Sequence, residues 1–141
     1  VEIEILKNDF KAKNINFINR KNFKTSQTIS GAIFKANLDR THPINFGIEN
    51  NSIALFRNTE IFLKPDDQSY NNPIKYDKNP LISGYISKEN LKNLSNTVPF
   101  KIESTGNGKI IIMTDNTNFR GYWIGTQHFL ANMMFYSQHM N

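Results

Sequence analysis

The first six residues alternate Val1, Ile3 and Ile5 with Glu2 and Glu4, the two-residue period of a half-buried strand. Residues 7–28 lose that order: they are polar, rich in Asn and Lys, and read as an irregular lead-in. The texture changes at Ile29. Ala32, Phe34, Ala36 and Leu38 then share one face, while Ile33, Lys35, Asn37 and Asp39 take the other, which predicts a strand. His42-Pro43 follows as a turn, because a proline drives the residue before it towards extended backbone. Two short apolar runs, Ser52 to Phe56 and Glu60 to Lys64, flank Arg57-Asn58-Thr59 and predict a hairpin.

Pro65, Pro73 and Pro80 mark residues 65–80 as a loop. Ser87 is placed to cap a short helix that runs to about Ser95 and packs Leu91 and Leu94. Val98, Phe100 and Ile102 alternate as a strand, and Gly106-Asn107-Gly108 is a tight turn. The run from Lys109 to Thr114, KIIIMT, is apolar without interruption, as in a strand covered on both faces. A polar loop, Asp115 to Gly121, leads into a last helix from near Trp123 or Thr126 to about His139. Phe129, Leu130, Met133, Met134 and Ser137 recur in it at three- and four-residue steps as an inward stripe. A covered strand feeding a helix through a polar loop predicts the α/β class, with a mixed sheet and flanking helices. The expected division is a lead-in with one short strand over 1–28 and a single domain over 29–141.

Composition supports a packed domain. Eleven Phe, five Tyr and one Trp in 141 residues supply the bulky apolar surface of a core. The absence of Cys excludes a disulfide scaffold, a zinc ribbon and a thiol nucleophile in these residues. No apolar run reaches the ~18 residues of a membrane span. Val1 is not an initiator Met, and VEIEIL is too short and acidic for a signal peptide, so the chain reads as a piece of a longer protein. The formal charge is +5 and uneven: residues 1–40 hold eight Lys or Arg against four Asp or Glu, and residues 41–141 hold nine against eight. Phe10, Phe17 and Phe23 lie among Lys11, Lys13, Arg20, Lys21 and Lys24, the mixture of cations and rings that a nucleic-acid binder uses. A solvated basic segment accounts for it with fewer assumptions, and no nucleic-acid partner is expected.

Few residues announce chemistry. The three histidines are far apart, neither HxxE nor HExxH occurs, and His42 and His128 have no zinc-ligand spacing. No G-x-S-x-G elbow or phosphate-binding glycine pattern is present, so no catalytic residue is assigned. The informative stretch is Asp115 to Gly121, which leaves the carboxyl end of the expected central strand, where open α/β sheets bind ligands. Arg120 could grip a carboxylate or phosphate through two hydrogen bonds, with Asp115 and Asn118 orienting it and Tyr122 and Trp123 as stacking platforms. The simpler expectation has Asp115 and Arg120 paired with each other or with loop carbonyls, holding the last helix to the sheet.

Three segments taken together, ISGAIFKANLDRTHPINFG (Ile29–Gly47), NPLISGYIS (Asn79–Ser87) and GKIIIMTDNTNFRGYWIGTQHFLANMMF (Gly108–Phe135), resemble the C-terminal region of large bacterial proteins of the zinc carboxypeptidase family. In that family a carboxypeptidase A-like catalytic domain precedes a domain resembling class I glutamine amidotransferases. The resemblance implies a flavodoxin-like sandwich, or its C-terminal half, serving as a non-catalytic accessory domain in a structural or substrate-positioning role. It also implies that the zinc and its ligands belong to the upstream catalytic domain, with no metal or cofactor in this chain. The implied partner is that catalytic domain of the same polypeptide, with a homodimer through an exposed sheet edge as a further expectation. The implied compartment of the parent is periplasmic or extracellular.

Overall fold

The computed structural model describes residues 27–121 and 123–140. The expected strand over residues 1–6 lies outside them. Five strands and two helices follow in order: β1 (Ala32–Leu38), β2 (Ser52–Arg57), β3 (Ile74–Gly84), α1 (Lys88–Leu94), β4 (Phe100–Thr105), β5 (Gly108–Met113) and α2 (Ile124–Tyr136). They form a small mixed α/β domain in which β1 is the centre of a three-stranded sheet, order β2-β1-β3, and β4 and β5 make a separate hairpin. Every pairing among these strands is antiparallel. The described residues therefore hold none of the parallel β–α–β crossovers that a strand-loop-helix pattern suggested. Only β4 and β5 are joined by a tight turn, which parallel neighbours cannot use; residues 39–51 and 58–73 make the longer connections of the three-stranded sheet.

The alternation in β1 carries through to packing. Ala32, Phe34 and Ala36 are buried, and the core gathers Ile44, Leu55, Phe62, Ile74, Leu94, Phe100 and Phe129 around them. Ser87 caps α1 as expected, its Oγ accepting from the Asn90 N–H at 3.2 Å, and Leu94 is fully enclosed. Gly106 at φ +58 sits first in the two-residue β4–β5 turn, the position that a type II′ turn reserves for glycine.

Four expectations need correction. Residues 60–64 form no second hairpin strand. Arg57 is instead the last residue of β2, opposite Ala32, and only Leu63 makes an isolated bridge, to Val98. Within the expected loop 65–80, residues from Ile74 onward belong to β3, where Asp77 to Asn79 bulge outward and Pro80 is buried. Phe34 pairs with Leu81 and Ala36 with Tyr76, so β1 advances two residues while β3 advances five. An edge strand can take such a bulge, and a proline in it, because its outer N–H groups need no ladder partner.

The third correction concerns KIIIMT. It is one strand of a hairpin with Ile110, Ile111 and Ile112 half-buried, since an unbroken apolar run does not by itself reveal whether both faces are covered. In the fourth, the inward stripe of α2 is rotated: Thr126, Phe129 and Asn132 face the core, while Leu130 and Met134 face out. The cause is Asn132, whose amide donates to the carbonyls of Ile44 and Phe46, both at 2.8 Å. This polar anchor takes an inward position that a hydrophobic count assigns to solvent.

Asn132 grips a compact turn built around His42. The 3-10 turn Pro43–Asn45 begins at His42, whose Nδ1 accepts from the Ile44 N–H at 3.2 Å. The imidazole is buried against the ring of Tyr70, centroids 4.4 Å apart. Asn45 ties the turn to both neighbouring strand ends, donating to the carbonyls of Asp39 (2.7 Å) and Pro73 (3.1 Å). Burial lowers the His42 pKa to about 4; the Asp39 carboxylate opposes that effect and Lys109 adds to it.

Two predictions follow from these contacts. A histidine held neutral in the fold takes up its proton in the unfolded chain at the ordinary 6.5. Its contribution is therefore complete above pH 6.5 and lost as pH falls towards 4, by on the order of 2–3 kcal/mol. Asparagine offers the same turn with an acceptor that does not titrate, so urea melts of His42→Asn between pH 7 and 4 should show a flatter acid slope than the wild type. Gly84 sits at φ +96, and a Cβ there would come within 2.8 Å of the Ala32 Cα. Gly84→Ala should cost about 2–4 kcal/mol by chemical denaturation, the range of strained backbone plus overpacking.

Candidate functional site

The loop from Asp115 to Gly121 leaves β5 and is fixed at both ends. At its start the Thr114 N–H donates to the Pro99 carbonyl (3.0 Å) and the Asn116 N–H to the Phe56 carbonyl (2.9 Å). At its end Thr126 Oγ1 donates to the carbonyl of Thr117 and lies 3.1 Å from that of Trp123, while Gln127 Nε2 donates to the Gly121 carbonyl at 2.9 Å. Between these anchors Asn116 Oδ1 accepts from the Asn118 N–H (3.1 Å), a side-chain turn, and Phe119 stacks on Phe56 of β2 at 3.8 Å between ring centres.

The four residues singled out by the sequence are dispersed. Asp115 points inward and is fully enclosed. Asn118 and Arg120 are exposed, and the Arg120 guanidinium lies 5.1 Å from the ring centre of its neighbour Phe119. Trp123 is half-buried, and its indole N–H donates to the Ala54 carbonyl at 3.2 Å. Tyr122 lies outside the described residues. The expected pair of Asp115 with Arg120 does not form: the partner of Asp115 is Arg57.

Arg57 was legible only as a turn residue, yet it organises the site. Its side chain is 1% exposed, and Nη1 lies 2.6 Å from Asp115 Oδ1, 2.8 Å from Thr114 Oγ1 and 3.1 Å from Tyr76 Oη. Nη2 donates to the Ile61 carbonyl, and the guanidinium plane lies 5.0 Å from the Phe62 ring centre. The Tyr76 hydroxyl donates between the two Asp115 oxygens, at 2.7 and 2.8 Å. One cluster thus joins β2, β3, the 58–63 segment and the exit of β5. A period-two reading could flag Arg57 only by noticing that it shares a face with the buried Leu55.

The electrostatics follow from enclosure. Burial pushes the Asp115 carboxyl above its usual range, against the pull of the Arg57 cation and the hydrogen bonds from Tyr76 and Arg57. Burial also raises the Tyr76 phenol well above 10, helped by the negative charge on Asp115. The hydroxyl therefore stays protonated at neutral pH and serves as a hydrogen-bond donor. Such an arrangement holds elements together. It presents no open carboxylate, and among the described residues no group of three His, Asp or Glu side chains is close enough to share a metal ion. No helix among them is long and apolar enough to cross a membrane.

Comparisons of the chain with known family models, with curated proteins and with solved structures found no match.

Truncating one partner of a buried ion pair strands the other, at a cost of about 3–5 kcal/mol, whereas exchanging both for apolar groups is close to neutral. Arg57→Met should accordingly lose that amount in urea unfolding, and Arg57→Met combined with Asp115→Leu should recover most of it. Arg120→Ala, on the exposed side of the loop, should stay within about 0.5 kcal/mol of wild type.

Proposed function

We propose that this chain is a non-catalytic accessory domain of a larger protein, the C-terminal domain of a zinc carboxypeptidase-like parent, with a structural or substrate-positioning role. The observation that carries the reading is the placement of Asp115. The one carboxylate of the loop faces inward on Arg57 and Tyr76, so the start of the loop works as a joint between the β2-β1-β3 sheet and the β4–β5 hairpin. The three segments that resemble that family add to it. In this reading the chain belongs to a class I glutamine amidotransferase-like sandwich or its C-terminal half, whose parallel strands come from elsewhere in the parent. The zinc, its ligands and the hydrolytic step belong to the upstream catalytic domain.

A second reading is supported by one feature of the loop. Arg120 is the sole described non-glycine residue with a positive φ, +53, and strained exposed backbone is a common mark of ligand contact. A small ligand or carbohydrate would then meet Asn118, Arg120 and the edge of Trp123 on the outer side of the loop, without Asp115.

The purified chain should contain no stoichiometric zinc by elemental analysis and release no C-terminal amino acid from unprotected peptides. Stoichiometric zinc or peptide trimming would overturn the accessory reading. Trp123 is the single indole, so saturable quenching of its fluorescence by soluble oligosaccharides, lost in Arg120→Ala, would favour the loop as a binding site.

A further inference from the structure

Asparagine side chains hold much of this domain together. Those of Asn45, Asn72, Asn90 and Asn132 donate to main-chain carbonyls, and that of Asn116 accepts from a loop N–H. Asn107 is different. It stands exposed at the tip of the β4–β5 hairpin, and its amide makes no hydrogen bond among the described residues. Ser104 to Gly108 are exposed in a row, so the tip is bounded by solvent. Of the seven glycines in the chain, only Gly108 follows an asparagine. Asparagine is a thermolabile residue, and a glycine after it puts no Cβ in the way when the main-chain nitrogen swings onto the side-chain carbonyl carbon.

We propose that Asn107 is a self-modifying position, where the chain deamidates through a five-membered imide closed by Gly108. The Gly108 amide nitrogen gives up its proton and bonds to Asn107 Cγ. The Cγ–Nδ2 bond breaks, and the amide nitrogen takes a proton and leaves as ammonia. Water then opens the imide at one carbonyl or the other. The first opening yields aspartate; the second yields isoaspartate, in which the main chain runs through the former side chain. No electrons are exchanged, and water is the one co-reactant. The fold sets the pace. Thr105 and Gly108 pair across the two-residue turn and occupy the Gly108 nitrogen while the turn is closed. This is the last rung of the hairpin, and such rungs open at small cost. Isoaspartate adds a main-chain carbon to a turn whose length fixes the register of both strands. Either product adds a carboxylate two residues from Lys109, whose Nζ donates to Ser104 Oγ at 2.8 Å. The modification therefore loosens the hairpin at its tip and takes one unit from the formal charge of +5. The chemistry belongs to this chain alone and holds whatever the parent protein does.

Incubation of the intact chain at 37 °C, read by intact mass and peptide mapping, tests it. The chain should gain one mass unit at Asn107 before any other asparagine, as both aspartate and isoaspartate, and faster at pH 8 than at pH 6. At Gly108 an added Cβ would meet only the Thr105 carbonyl oxygen, at 3.7 Å, an ordinary contact. Gly108→Ala should therefore keep the circular dichroism of the wild type while slowing the conversion at least tenfold, and Asn107→Gln should abolish it. A native chain that stays unchanged at Asn107 overturns the proposal; conversion of the same chain in urea would then show that the closed turn protects it. Earlier conversion at another asparagine overturns it too, as does a rate that Gly108→Ala leaves unaltered.

Discussion

The contact between Arg57 and Asp115 decides how the parts of this domain meet. The three-stranded sheet and the β4–β5 hairpin share no continuous ladder; main-chain contact between their surroundings comes from the Asn116 N–H, which donates to the Phe56 carbonyl of β2, and from the isolated bridge of Leu63 to Val98. What joins them is a guanidinium at the end of β2, a phenol from β3 and a carboxylate at the exit of β5. Each of these groups would be costly to enclose alone. Together they offset one another's charge and fill most of one another's hydrogen-bonding positions. Buried ion pairs add little to stability compared with apolar side chains of equal volume, and they are intolerant of mismatch. Here that intolerance selects one relative placement of two sheets that hydrophobic contact alone would leave free to slide.

The second joint works by neutral hydrogen bonds. Asn45 and Asn132 bind main-chain carbonyls around the His42 turn, so the end of β1, the start of β3 and the middle of α2 are fixed with respect to one another. Both joints place polar groups inside. The apolar core between them, from Phe34 to Phe100 and Phe129, supplies the driving force, and the polar contacts supply the geometry.

This division explains what was legible in the sequence. Wherever one side chain reports on its own surroundings, the reading carried over. The alternation of β1, the Ser87 cap with Leu94 beneath it, and the glycine turn between β4 and β5 all obey local rules. Features defined by a distant partner stayed hidden. Arg57 reads as a turn cation until Asp115, 58 positions later, is seen beside it. Asn132 reads as a solvent residue until it meets two carbonyls more than 80 positions earlier. The candidate loop does connect β5 to α2, but the inward turn of Asp115 depends on Tyr76 and Arg57, neither of which its own segment announces. KIIIMT misled for a related reason: an apolar run records that burial occurs and is silent about which side it occurs on.

The bulge in β3 has a consequence for how the chain behaves in a crowd. Asp77 and Lys35 form an ion pair across it, 3.2 Å apart, and Pro80 offers no N–H to an incoming strand. A neighbouring polypeptide that tried to lengthen the sheet would meet a kinked, charged and donor-poor border. Runaway stacking into fibrils is thereby discouraged, even though Leu81, Ile82 and Tyr85 leave greasy surface a few residues away. A small domain with this much outward hydrocarbon can stay dispersed because its most vulnerable rim is bent out of register.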